Sequence, residues 1–262
     1  MKSLRYIDTH CHLAMSPLAE DISGVMSRAR ENGVFRMLVV ASDRPGCNDV
    51  VKLAETLAGE GLSAAVGIHP HEAETACDGL PEDLRDLARR DIVVAVGETG
   101  LDYYYDNSPR SLQRKLFREH VRLAKEVKKP LVIHVRDAFE DAFKILEEED
   151  AASCGGVIHC FCGTGEDARK AVDMGFFVSF SGLVTFPSAK GLRKTVALLP
   201  EDTILCETDS PFLAPQPMRG RPNEPANVRY VYEEVARARS VGLADFALAV
   251  SNNAARLFRW GE

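Results

Sequence analysis

The chain has 262 residues, 45% of them hydrophobic and 27% charged, with a formal net charge of −7. No stretch nears the roughly 18 uninterrupted apolar residues of a membrane span, and the first twelve residues lack the apolar run of a secretory signal. The acidic balance excludes a protein that coats nucleic acid through a broad basic face, but leaves room for a locally positive pocket.

The seven cysteines form an odd set without CxxC spacing. Free thiols in a reducing, cytoplasmic compartment are the expectation.

Along the chain, short apolar runs alternate with amphipathic stretches, and no repeat or low-complexity segment intervenes. The predicted strands are residues 5–12, 35–42, 63–70, 92–101, 130–137, 155–162, 176–181 and 203–209. Val93 to Val96 and Leu131 to Ile133 are almost continuously apolar, as expected of parallel strands covered on both faces. Asn32-Gly33 and Gly175 fall where helices should end. The 112–127 stretch carries Leu112, Leu116, Leu123 and Val127 on one face and Arg114, Lys115, Arg118 and Arg122 on the other. Ser108 and Pro109 look like its N-cap and first turn, and Pro130 should end it.

Eight strands alternating with helices point to a TIM (β/α)8 barrel, one domain spanning 1–262. The alternative doubly wound sheet lacks a GxGxxG after its first strand. Long loops at 102–108 and 210–227 follow strands, so both lie at the C-terminal mouth of the barrel.

That mouth is where the chemistry-bearing residues fall. His10 and His12 end strand one, His69 strand three, Glu98 strand four, His134 strand five and Asp209 strand eight, while His159 lies late in strand six. Residues two apart on a strand share a face, so His10 and His12 point together. Each residue alone has an ordinary reading. A histidine is often a hydrogen-bonded core group, Glu98 could pair with an arginine, and Asp209 could cap a helix.

Six such groups converging inside a barrel are costly to desolvate without a common partner. A pair of divalent cations held by His10, His12, Glu98, His134, His159 and Asp209 supplies one, leaving the pocket positive and suited to an anionic substrate. Arg136 shares the face of His134 and could clamp a phosphate or form a salt bridge. His69 is a further active-site candidate, and His71 is balanced between site and loop. Tyr103 to Tyr105 could stack on a base or plug a loop. His120 reads as a surface residue and the acidic run 147–150 as a solvated helix end.

These residues lie in segments that resemble the TatD-type metal-dependent deoxyribonucleases of the amidohydrolase-like barrels. The segments are Ile-Asp-Thr-His-Cys-His-Leu (7–13), Gly-Ile-His-Pro-His (67–71), Gly-Glu-Thr-Gly-Leu-Asp-Tyr-Tyr (97–104), Pro-Leu-Val-Ile-His-Val-Arg-Asp-Ala (130–138), His-Cys-Phe-Cys-Gly (159–163), Glu-Thr-Asp-Ser-Pro-Phe-Leu-Ala-Pro (207–215) and Arg-Gly-Arg-Pro-Asn-Glu-Pro (219–225).

The resemblance implies that His10, His12 and Asp209 hold one metal, that His134 and His159 hold the second, and that Glu98 bridges them. It places His69 and Arg136 against the substrate phosphate, and implies 3′-to-5′ exonuclease action on single-stranded DNA. Asp209 is the expected general base. Imidazole ligands suit Zn, Mn, Fe or Ni, whereas the resemblance implies that Mg supports activity. Cys162 stands where serine is expected and Ala14 where an aspartate is common. DNA is the expected partner, at the metal site, with no membrane; the sequence points to no obligate protein partner. The competing functions are an ester-, lactone- or cyclic-amide-cleaving relative, many of which resemble one another in a bridging carbamylated lysine where this chain has Glu98, and a non-catalytic metal-binding module.

Overall fold

Runs such as Met37 to Val40 and Leu131 to Ile133 leave no polar face, so their strands must be covered on both sides. The computed structural model, which describes residues 4–260, places them in a parallel sheet. Its strands are β1 (Tyr6–Cys11), β2 (Val34–Val40), β3 (Leu62–Val66), β4 (Val93–Asp102), β5 (Leu131–Arg136), β6 (Gly156–Ile158), β7 (Phe177–Phe180) and β8 (Ile204–Cys206), adjacent in that order.

The sheet curls into a barrel whose seam, between β8 and β1, closes just beyond the last residue of β8. Asp209 N donates to His10 O at 2.9 Å and His12 N donates to Ser210 O at 2.7 Å. Below them the buried Asp8 accepts from Thr208 N at 2.9 Å and Thr208 Oγ1 at 2.5 Å. The arrangement is the expected (β/α)8 barrel.

A helix follows each strand: α1 (Ile22–Glu31), α2 (Arg44–Thr56), α3 (Glu82–Ala88), α4 (Arg110–Val127), α5 (Phe139–Glu148), α6 (Gly165–Asp173), α7 (Lys190–Leu198) and α8 (Val228–Arg239), with α9 (Leu243–Phe258) added after α8. Gly33 and Gly175 follow α1 and α6 with φ of 82° and 87°, the left-handed geometry that ends a helix.

Two sequence expectations about the α4 region are corrected. Ser108 is not the N-cap. The helix begins at Arg110 after Pro109, and the Ser108 hydroxyl instead donates to His71 O at 2.7 Å, tying the loop after β4 to the loop after β3. His120 is fully buried: its Nδ1 donates to Leu116 O at 2.9 Å and its Nε2 accepts from Ile68 N at 3.1 Å. Among charged neighbours in sequence, it sits on the one strip of α4 that faces the barrel. The acidic run 147–150 does lie at the solvated end of α5, with Glu147, Glu148 and Asp150 exposed; Glu149 is clasped by Arg122 and Arg118, whose guanidiniums hold its pKa below the usual carboxylate range.

The strands are shorter than predicted at the mouth. His12, His69, His159 and Asp209 each lie past the last strand residue, on the first residues of loops. Glu98 errs in the other direction. It sits inside β4, which continues four residues further to Asp102 because Gly100 lets that strand pass close to β5; a Cβ there would lie 2.0 Å from His134 O.

Candidate metal centre

Every strand that ends at the mouth carries its side chains in alternation, so residues two apart project into the barrel together. That rule places His10 and His12 side by side, their Nε2 atoms 3.1 Å apart. From the facing seam Asp209 brings Oδ1 to 3.7 Å from His10 Nε2 and 3.5 Å from His12 Nε2. Glu98 completes the group, with Oε2 at 3.5 and 3.7 Å from the same two nitrogens. A tetrahedron whose corners lie about 2.1 Å from its centre has edges of about 3.4 Å, so the atoms of His10, His12 and Asp209 are spaced as ligands of one cation, with Glu98 Oε2 beside the two imidazoles.

The other oxygen of Glu98 faces a second group. Oε1 lies 2.7 Å from His159 Nε2, 3.2 Å from His134 Nδ1 and 3.4 Å from His69 Nε2. The six predicted ligand residues are thus brought together, with His69 beside them.

Which ring nitrogen carries a proton is fixed by what the opposite nitrogen touches. His12 Nδ1 faces Val40 O at 3.0 Å. His134 Nε2 faces Asp102 Oδ2 at 3.0 Å. His159 Nδ1 faces Glu207 Oε1 at 3.3 Å. Each of these acceptors demands an N–H, so the remaining nitrogen of each ring aims a lone pair at a carboxylate oxygen. Lone pairs so opposed need a proton or a cation between them, and this is the observation that fits the donor set to metal.

The same opposition appears as basicity. Burial works against charging His159, yet Glu98 and Glu207 outweigh it and raise its pKa well above the usual value. Burial is likewise overcome by Asp209 and Glu98 at His12, and by Asp102 and Glu98 at His134. The carboxylates respond in kind. Burial disfavours ionised Glu98 and Asp209, but the surrounding imidazoles hold both below the usual range.

His69 differs. Its Nδ1 accepts from His71 N at 3.1 Å, and burial lowers its pKa to about 4. At neutral pH it is therefore uncharged with its proton on Nε2, a donor and not a lone pair. His10 is also kept neutral, first by burial and then by His159, whose ring stacks on it at 3.9 Å.

Asp102 and Glu207 were not singled out in the sequence. Asp102 Oδ2 receives His134 and, at 3.0 Å, His71, while Oδ1 accepts the backbone N–H groups of Tyr104 and Tyr105. Glu207, fully buried, accepts from Cys160 N at 2.7 Å besides facing His159. Glu207 could have been suspected from its parity, two residues before Asp209 on the same strand end.

Arg136 lies with its guanidinium carbon 4.1 Å over the Tyr104 ring and 4.8 Å over that of Tyr105, and has no carboxylate partner among the described residues. Tyr103 is separate, its hydroxyl donating to Asp141 at 2.6 Å. Cys160 and Cys162 both line the pocket; they follow β6, which ends at Ile158, and Cys160 takes a φ of 44°. His12, His69, Glu98, His134, His159 and Asp209 line a cavity of about 630 Å³ at the mouth, with Arg136 and Tyr105 on its wall.

The chain has relatives of known sequence and of known structure. The chain is 43% identical to an uncharacterized metal-dependent hydrolase, YabD of Bacillus subtilis, over 96% of this chain and 98% of that one. It is 36% identical to a 3′-5′ ssDNA/RNA exonuclease, TatD of Pantoea ananatis, over 96% and 98%. Among solved structures, YjjV, a TatD homolog from Escherichia coli K12, superposes with a TM-score of 0.90 at 30% identity, covering 98% of this chain and 99% of that one. Residues 7–259 match the family described as TatD related DNase. The chain belongs to that family and is a metal-dependent hydrolase.

Proposed function

We propose that the protein is a cytoplasmic deoxyribonuclease that removes nucleotides from the 3′ end of single-stranded DNA, using two divalent cations. Glu98 carries this reading: one buried carboxylate directs its two oxygens at two donor sets, as a bridge between two cations requires. His10, His12 and Asp209 would hold one, and His134 and His159 the other. When bound, such a pair acidifies a water and draws charge from phosphoryl oxygens.

The side chains supply the rest. Asp209, held ionised by its imidazole neighbours, accepts the proton of the attacking water. His69, with its proton on Nε2, donates to a phosphoryl oxygen. Arg136, with no carboxylate partner among the described residues, offers its guanidinium to the same phosphate. His71 sits behind His69 and shares Asp102 with His134, so it steadies the wall that faces the substrate. The imidazole-rich donor set favours Zn, Mn, Ni or Fe, with Mg a weaker occupant. The activity printed for the Pantoea relative supports a nucleic-acid substrate. No helix among the described residues is long and apolar enough to cross a membrane, and the reading requires no protein partner.

The test is cleavage of a 5′-labelled single-stranded oligodeoxynucleotide by metal-replete protein, run beside a lactone and ester panel. A ladder shortening from the 3′ end is expected. Turnover of lactones or esters with the oligonucleotide left intact would overturn the reading.

A further inference from the structure

In a barrel of eight strands adjacent in chain order, β4 and β8 lie half a turn apart. The loop after β4 carries Tyr105 and the loop after β8 carries Phe212, so these two side chains stand on opposite sides of the mouth. Both line the cavity, and both are left open to solvent, 54% and 49% exposed. A large exposed ring contributes little to folding, so its placement calls for another account.

Each ring is seated above one half of the centre. Phe212 packs edgewise on His12 at 5.9 Å, over the set that contains Asp209. Tyr105 packs edgewise on His71 at 5.5 Å, over the set that contains His134. Each is held by the residue that positions the groups below it. Tyr105 N donates to Asp102 Oδ1 at 2.9 Å, and Phe212 N donates to Asp209 O at 2.9 Å. Asn223 Nδ2 ties the second loop down, donating to Phe212 O at 2.8 Å. The backbone under each ring is therefore fixed, and a ligand that stacks on it need not order a loose loop.

A phosphodiester carries one nucleoside on each side of phosphorus. With the phosphate at the floor, the two nucleosides point to opposite walls, and each wall offers an aromatic face. We infer that Tyr105 and Phe212 form two base-stacking subsites, one for each nucleoside flanking the scissile bond. Bases engaged this way must be unpaired, because a paired base is already covered by its duplex neighbours, so the two subsites would select single-stranded ends.

This inference rests on the deoxyribonuclease reading, and the experiment separates the two. Metal-replete wild type, Tyr105→Ala, Phe212→Ala and the conservative Tyr105→Phe are assayed on three oligothymidylates: an intact one, and two with an abasic nucleoside on either the 3′ or the 5′ side of the terminal linkage. On the intact strand, each alanine variant should raise KM about five- to tenfold, with kcat within about twofold and Tyr105→Phe close to wild type. Each penalty should vanish on one abasic substrate only, a different one for each variant. Unchanged KM in both alanine variants, or penalties that persist on both abasic strands, would overturn the subsites while leaving the nuclease intact. Failure of wild type to cleave the intact strand would remove the underlying reading and this one together.

Discussion

Asp102 shows how much a single carboxylate can organise. One oxygen orients His134 and His71, and the other collects the N–H groups of Tyr104 and Tyr105. Its pKa is held low because the hydrogen bonds from His134 and the Tyr105 backbone, with the His134 charge, outweigh its burial. Asp102→Asn would present an amide where His134 needs an acceptor, and the ring would no longer be held with Nδ1 toward Glu98. Metal affinity should fall about 10- to 100-fold, read by calorimetric titration of metal-stripped protein. An unchanged affinity would show that His134 needs no such partner. Asp209→Ala removes both a donor and the proton acceptor, and kcat on DNA should drop at least about a hundredfold while circular dichroism stays native. Full turnover of that variant in metal-replete buffer would exclude Asp209 as the base.

At the scale of an element, α4 is the helix whose sequence misleads most. Its polar face holds Arg118 and Arg122, which reach across to Glu149 beyond the end of α5. Its buried face holds His120, which bridges the helix to the backbone just before His69. Burial lowers the His120 pKa to about 4, against about 6.5 in the unfolded chain. Between those values the unfolded state binds a proton that the native state refuses. Stability therefore rises with pH across that window, is fully present above about 6.5 and is lost as pH falls toward 4. For one fully buried group the loss amounts to roughly 3 kcal/mol. Urea unfolding at pH 7.5 and pH 5 should show a steeper loss for wild type than for His120→Gln. Parallel losses in the two proteins would place the effect elsewhere.

Across the whole molecule, closure of the barrel and assembly of the centre are one event. The seam joins β8 to β1 through Asp209 and His12, which also carry candidate ligands, and is backed by the buried pair of Asp8 and Thr208. Burial raises Asp8 to about 8, a cost that the Thr208 hydrogen bonds only partly offset. Thr208→Val would strip the hydroxyl from that pair and should cost about 1–3 kcal/mol in denaturant unfolding. A value within a few tenths of zero would mean the seam does not depend on it. Bound metal should stabilise the closed barrel further, because the donor set is assembled only in the native state. With free metal at about a thousand times Kd the gain is roughly 4 kcal/mol, which in a chain of this size raises Tm by on the order of 10 °C. A chelator that left Tm unmoved would contradict a metal held by this many groups.

The sequence by itself determined the barrel and the identity of the facing groups. Both follow from local rules: apolar runs force doubly covered strands, and the two-residue period of a strand sends His10 and His12, or His134 and Arg136, to one side. Strand ends were less legible, because they are set by where neighbouring strands stop offering hydrogen bonds, which a single run of residues does not encode. The same limit hid the outer carboxylates. Asp102 meets His134 across 32 positions and Glu207 meets Cys160 across 47, so their roles exist only once β4 lies beside β5 and the strands have closed into a ring. It also hid the burial of His120 and the division of labour among the tyrosines, where Tyr103 is tied to Asp141 while Tyr104 and Tyr105 stay open under Arg136. Residue type and spacing decided which chemistry the chain carries. Contacts between distant segments decided which nitrogen bears a proton, which carboxylate stays ionised and which rings face the pocket, because those properties belong to the surroundings of a group and not to the group alone.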